Sequence, residues 1–237
     1  MTGGNAVRDQ GNSSDKARER AAGGTRTDRR RARTRGALIA AARAILSEQG
    51  SVDVSIQQIT NQADVGFGSF YNHFASKTEL FEAAVAETIE EYRALLEERT
   101  SRLTDPAEAF AAGVRLTGRL VDTHPQMARI LLGSGLNCLH ISDVLVPRGL
   151  RVIERGLAAG RFRVGDPRVA VAGISGSLLG LVELKMSSPA LDDDVCEQMA
   201  ELMLRMLGMP ADEAAEVARR PLPPPSDHEL RAVPMGR

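Results

Sequence analysis

Tryptophan is absent from this 237-residue chain, and other rings are scarce, with six Phe and two Tyr. Ala, Leu, Arg and Glu dominate instead, which favours helix over sheet. No stretch shows strand-like alternation. Cysteine is nearly absent too. Cys138 and Cys196 have neither metal-ligand nor redox spacing. They read as reduced core thiols of a cytosolic protein, and they exclude a disulfide framework. Only three basic residues are Lys (Lys16, Lys77, Lys185), a bias that says nothing about mechanism.

No apolar run reaches the roughly 18 residues needed to span a bilayer. The longest, 169–184, is interrupted by Gly173, Gly176, Gly180 and Glu183. The N-terminus is polar and Arg-rich, so it does not read as a secretory signal. A cytoplasmic protein with no membrane partner is expected. A nucleophile elbow, a phosphate-binding Gly loop and paired His–carboxylate metal spacing are all missing, so neither catalysis, a cofactor nor a metal is expected.

What is present is a charge asymmetry. The net charge is −1, yet residues 1–35 hold ten basic and four acidic residues, leaving 20 basic against 27 acidic in the remainder. A basic arm on an acidic body fits a polyanion partner at one end; a solubilising tail is the other reading. Residues 1–32 have almost no apolar anchor and are expected to form a disordered arm. The tail 220–237, with Pro221, Pro223, Pro224 and Pro225, is expected to be extended and disordered.

Between these ends the pattern is all-helical, with about nine segments. Leu38, Ala42, Ile45 and Gln49 form one stripe of a helix over 33–49, which Gly50 stops. Ser55 N-caps a second helix bearing Ile56, Ile59 and Ala63. A tight turn at Asp64, Val65 and Gly66 leads to a third helix ending near Phe74. Ser76 and Glu79 form a capping box for a fourth, reaching about Glu98. Pro106, Pro125 and Pro167 open later helices. A loop is expected over 133–142, a helix over 143–159, an almost wholly apolar helix over 167–186 and a last long helix over 192–207.

The informative stretch is 55–77, SIQQITNQADVGFGSFYNHFASK. Two short helices joined by a tight turn have helix-turn-helix geometry. Val65, Phe70 and Phe74 fall where the second helix packs on the first. Phe67, Gly68, Ser69, Tyr71, Asn72 and His73 are left on the open face. Small residues allow close approach to a duplex, while hydroxyls, an amide and an imidazole can meet phosphates or bases. Lys77 adds a charge at the next helix start.

The run Phe70-Tyr71-Asn72-His73-Phe74-Ala75-Ser76-Lys77-Thr78-Glu79-Leu80 resembles the FYxHFxxKxxL signature of the tetracycline-repressor (TetR) family. The resemblance covers roughly 33–80 in motif and the remainder in pattern only. It implies a three-helix DNA-binding domain over 33–80, followed by a helical effector-binding and dimerisation domain over 81–219. By family position, Ser55 and Gln57 touch a base or phosphate, and Phe67, Gly68 and Ser69 lie at base edges. Tyr71, Asn72, His73 and Lys77 hold the backbone, and Arg30, Arg31 and Arg33 extend an arm to the minor groove or nearby phosphates. The chain departs from the family at the turn, where Asp64-Val65-Gly66 replaces Gly-Val-Ser/Thr. It departs again at Phe67, which either reads a thymine methyl or packs inward and reads nothing.

The resemblance further implies a ligand cavity and a homodimer built from the last two long helices. Phe110, Val114, Met127, Ile130, Leu131, Cys138 and Leu139 are the candidate lining, with Asn137, His140 or His124 as polar anchors. Gly173, Ser177 and Leu181 on one helix, with Val195, Met199, Leu202 and Met206 on the other, are the candidate dimer face. The function implied is a dimeric regulator, most simply a repressor, that binds a palindromic double-stranded operator and is released by a small-molecule effector. The alternatives are an enzyme or a helical interaction module without DNA binding. Burial of Tyr71, His73 and Lys77 would favour the module.

Overall fold

A computed structural model describes residues 11–50, 52–141, 144–188, 190–191 and 194–224, with side chains from 26 onward; it contains helices and turns, and no strand among the described residues. The chain divides into two compact units, Met1–Ala42 with Asp53–Leu80, and Arg43–Val52 with Phe81–Arg237.

The first unit is built from α1 (Gly11–Gln49), α2 (Ile56–Gln62), α3 (Phe67–Phe70) and the start of α4 (Lys77–Thr100). Leu38, Ile39 and Ala42 recur at helical spacing on α1, and they are buried along with Ile59, Phe70, Phe74 and Leu80. Helix α1 begins at Gly11, so 11–32, expected to be disordered, is helical. The packed turns from Leu38 onward supply the nucleus. Each added Ala, Arg or Glu upstream then gains a hydrogen bond without a new nucleation cost. Residues 1–10 lie outside the described residues. The last part of α1 joins the second unit, where Arg43 makes a two-pronged ion pair with Glu91 at 2.6 Å and Leu46 packs on the core.

The second unit is organised around α5 (Pro106–Thr123), ten of whose residues are buried. Packed with it are α6 (Pro125–Ser134), α8 (Leu145–Ala158), α9 (Pro167–Ser187), α10 (Asp194–Met206) and α11 (Ala211–Ala218). The stretch expected as a loop is instead a 3-10 turn, Gly135–Asn137, followed by α7 (Cys138–Ile141). Cys138 is buried and Leu139 partly so against the same core, and a hydrophobic anchor of this kind is what a solvent loop lacks.

Helix α9 is long and apolar enough to cross a membrane, with a mean hydropathy of 1.5 over its most apolar window, of which 28% is buried within one chain. Val171, Ile174, Leu181 and Val182 are its core residues. Leu181, assigned above to the dimer face, is wholly buried against Gly118, where even a Cβ would lie 2.9 Å from Leu181 Cδ2. It belongs to the core of a single chain.

Glycines close two helices by the same device. Gly160 (φ +69°) ends α8, with Arg161 N–H donating to Gly156 and Gly160 N–H to Leu157. Gly208 (φ +85°) repeats the pattern after α10, and Arg163 N–H donates to Leu207 at 2.8 Å, tying the two ends together.

The C-terminal segment is anchored for longer than its prolines predict. Arg220 pairs with Asp105 (3.2 Å), Glu108 (3.0 Å) and Glu216 (3.2 Å), its carbonyl accepts from Arg115 at 2.6 Å, and Leu222 packs on the core. The Arg220 ion pairs and the Leu222 contact together anchor this segment; residues 225–237 lie outside the described residues.

Asp105 is the hub of that anchor. It N-caps α5 by accepting from Ala107 N–H at 3.0 Å, and it holds Arg161 and Arg220. Burial pushes its carboxyl up, but hydrogen bonds from Arg161 and Ala107 and the charges of Arg161 and Arg220 outweigh this, leaving it below its ordinary value. A depressed folded value means that the stabilisation is present above the unfolded value, near 4, and lost as pH falls through the folded one. We therefore expect Asp105→Ala to lower stability at pH 7 by about 2 kcal/mol, from the lost cap and partly exposed ion pairs. The deficit relative to wild type should shrink below about pH 4. Urea melts at pH 7 and pH 3 check this, and a deficit equal at both pH values contradicts it.

Candidate nucleic-acid interface and ligand cavity

Ser55 starts the interface as a full N-cap. Its Oγ accepts from Gln58 N–H at 3.1 Å, and its own N–H donates to Gln58 Oε1 at 2.8 Å. Gln58 was missed as the capping partner, although the S-x-x-Q spacing signals it. Gln57 points outward, linked to Asn61 at 2.8 Å. The turn into α3 places Asp64 at φ +52°, whereas Gly66 is extended and caps without a side chain. Short side-chain acids tolerate the left-handed region.

Helix α3 runs only to Phe70, and hydrogen-bonded turns carry the chain on to Phe74. Phe70 and Phe74 are buried, while Phe67 and Tyr71 stand 47% and 56% exposed with their rings 6.0 Å apart, edge to face. Phe67 therefore points outward. Gly68 and Asn72 are exposed, and Ser69 and His73 half-buried.

Lys77 is half-buried, its Nζ donating to the Val54 carbonyl at 2.6 Å. One of three ammonium protons is thereby used and the head is fixed in place. The expected capping box is offset by one residue. Ser76 Oγ accepts from Glu79 N–H, but Glu79 reaches Ala75 N–H at 2.6 Å rather than that of Ser76.

Arg30, Arg31 and Arg33 lie exposed on α1, and Arg31 reaches the Asn72 carbonyl at 3.5 Å. Arg35, which sequence reading did not single out, sits 5.4 Å from the Phe74 ring centroid. Burial, and then the charges of Arg31 and Arg35, lower the pKa of His73, so its ring is neutral at pH 7. Cationic groups and exposed hydrogen-bonding side chains thus share one surface of this unit, which suits a polyanion.

The second unit holds a half-open cavity of about 440 Å³ between α4, α5, α8 and α9, with residues of α6 and α7 in its wall. Phe110, Val114, Leu131, Cys138 and Leu139 line it as expected. Met127 and Ile130 do not, being turned into the core beside Leu116 and Leu120. Asn137 and His140 are exposed and away from it, and His124 is linked to Thr123 instead. Missed from sequence were Tyr92, Thr117 and Arg148.

Tyr92 and Thr117 oxygens lie 2.7 Å apart. Thr117 donates its proton to the Gly113 carbonyl at 2.8 Å, so Tyr92 must be the donor to Thr117. Burial holds the Tyr92 phenol above its ordinary pKa, so it stays protonated. Burial also raises the Cys138 thiol and lowers the Arg148 guanidinium.

Residues 38–84 match the family described as bacterial regulatory proteins, tetR family, and 105–220 match the tetracyclin repressor-like C-terminal domain. The crystal structure of RolR in complex with resorcinol is 33% identical with a TM-score of 0.68, and the match covers 84% of this chain and all of RolR. The chain belongs to the tetR family of bacterial regulatory proteins. NalD of Pseudomonas aeruginosa, the secondary repressor of the MexAB-OprM efflux pump, is 25% identical over 73% of this chain and 95% of its own, with a TM-score of 0.56. FadR of Bacillus halodurans shares the fold at 18% identity over 75% of this chain and 97% of its own, with a TM-score of 0.63. No curated protein matches the sequence.

As a tetR-family regulator the chain has a helix-turn-helix DNA-binding domain, and each of the two units contains matched residues. On the candidate dimer face, Leu202 and Met206 are exposed (54% and 47%), as is Gly173; Val169, outside that set, is exposed on the same helix. Ser177 is half-buried, and Val195 and Met199 are partly buried against the core of their own chain.

Proposed function

We propose that this regulator binds a palindromic operator as a homodimer and represses transcription until a small aromatic effector enters the cavity. The observation that carries the DNA-binding reading is the division of α3 and the turns after it. Phe70 and Phe74 are core, while Phe67, Tyr71 and Asn72 face out beside the exposed Arg30, Arg31 and Arg33. Two copies held at one spacing match half-sites in successive major grooves. The exposed apolar groups of α9 and α10 supply the face that holds them. The size of the cavity, and the ring bound by the relative RolR, support the aromatic effector.

Helix α4 carries Lys77 at its first residue and cavity residues Tyr92 and Leu96 further along. An effector that prefers one arrangement of α4 over another changes operator affinity tenfold for about 1.4 kcal/mol of differential binding.

Genomic footprinting of the tagged protein supplies the operator, and a salt titration then tests the face. Lys77→Ala is expected to weaken binding to operator and unrelated duplex alike, with a slope of log affinity against log salt smaller by about one. Gln57 and Ser69 substitutions should instead change sequence preference. Equal affinity of Lys77→Ala and wild type at every salt concentration would remove the assignment.

A further inference from the structure

The cavity wall carries an unusual charge balance. Four arginines line it, Arg93, Arg148, Arg151 and Arg155, against one carboxylate, Glu97. Arg93 is already satisfied, hydrogen-bonded to both Glu90 and Glu97. Arg148, Arg151 and Arg155 share one face of α8, at positions i, i+3 and i+7.

Arg148 is the informative one. Its side chain is 21% exposed, and its one ion contact among the described residues is to Glu97 at 4.0 Å, too long for a hydrogen bond. The Glu97 carboxylate is engaged by Arg93. A guanidinium presents five N–H donors in a planar fork, and among the described residues this one has no acceptor within hydrogen-bond reach, which leaves the fork available to a ligand. The Tyr92 oxygen, having donated its proton to Thr117, keeps its lone pairs for another donor, but one oxygen cannot satisfy the fork.

We infer that the effector is an aromatic carboxylate, its ring among the apolar walls and its carboxylate held two-pronged by Arg148, with Arg151 and Arg155 drawing the anion toward the cavity. This rests on the cavity being the effector site. A planar carboxylate matches the guanidinium fork in a way that a neutral phenol, with one oxygen at each ring position, does not. The ion pair also offsets the burial that depresses the Arg148 pKa.

Calorimetric titration of the full chain with 2,4-dihydroxybenzoate and with resorcinol, which differ by one carboxylate, tests the inference. The acid is expected to bind at least about tenfold tighter, the scale of one charge-assisted hydrogen-bond pair. Arg148→Gln should remove most of that preference, and Arg148→Lys should keep part of it, as a point charge without the fork. Resorcinol binding as tightly as the acid, neither probe binding, or Arg148→Gln weakening both probes equally would each overturn the inference. If Arg148→Gln fails to fold in a thermal melt, wild type and Arg148→Lys still decide.

Gly113 lines the cavity and has open space where a Cβ would stand, so Gly113→Leu is expected to project its side chain into the cavity, with a thermal melt checking that the variant folds. Undiminished binding of the acid to Gly113→Leu would place the ligand elsewhere and refute the cavity as its site. Operator binding without either probe is measured separately. Its absence would count against the DNA-binding reading and leave the preference between probes standing.

Discussion

Leu202→Asp is expected to yield a folded monomer that no longer holds its operator. Leu202 is 54% exposed on α10, beside Met206 at 47%, so a carboxylate there costs little in an isolated chain. In a dimer it would be buried opposite an apolar surface, at a cost of several kcal/mol for an unpaired charge. The recognition face is untouched, since Leu202 and α3 belong to different units. Operator affinity should nevertheless collapse, because two linked heads bind with an effective concentration that a lone head lacks. Leu181→Arg, on the neighbouring helix, makes a sharp contrast. Leu181 is wholly buried against Gly118, so that variant should unfold rather than dissociate. Analytical sedimentation, a thermal melt and a gel-shift assay on both variants decide the matter. A Leu202→Asp protein that sediments as a dimer and binds normally would refute the face.

Leu181 shows what helical periodicity can and cannot deliver. The 167–186 pattern announces a helix that is apolar nearly all round, and α9 is that helix. Because every side is apolar, the sequence holds no sign of which side meets α5 and which stays open. Amphipathic segments had no such ambiguity. The α1 stripe through Leu38, Ala42 and Ile45 and the alternation of Phe70 and Phe74 with open-face residues give one answer each, and those side chains are buried. Cavity residues were harder to read. Phe110 and Val114 line the cavity, whereas Met127 and Ile130, on the next helix, look identical to them in sequence yet turn into the core. Arg148 was invisible, since an arginine in a helix reads as solvated until the helix is docked. The anchored Arg220 was missed for a related reason. Its partners Asp105 and Glu108 lie more than a hundred residues away in the chain, beyond the reach of local pattern.

Gly156 offers the strongest test of packing in the second unit. A glycine inside a helix costs about 1 kcal/mol relative to alanine, so from sequence Gly156→Ala looks stabilising. The fold reverses that expectation. Phe162, just past the Gly160 turn, folds back so that its ring covers the bare Cα of Gly156, and a Cβ there would lie 1.9 Å from Phe162 Cδ2 and 2.2 Å from Cε2. Both residues are buried, and the ring also meets Phe110 edge to face at 5.9 Å. The ring must therefore shift or leave, which forfeits much of the roughly 3–5 kcal/mol that a buried Phe contributes. We expect Gly156→Ala to lower stability by about 3 kcal/mol and Tm by about 10 °C. Because Phe110 lines the cavity and α8 bears Arg148, effector binding should weaken as well. Pairing Gly156→Ala with Phe162→Leu should recover part of the stability, since the branched side chain leaves room for the added methyl. Differential scanning calorimetry of the single and double variants measures this. A Gly156→Ala protein that melts within a degree of wild type would mean that the Phe162 ring does not rest on Gly156.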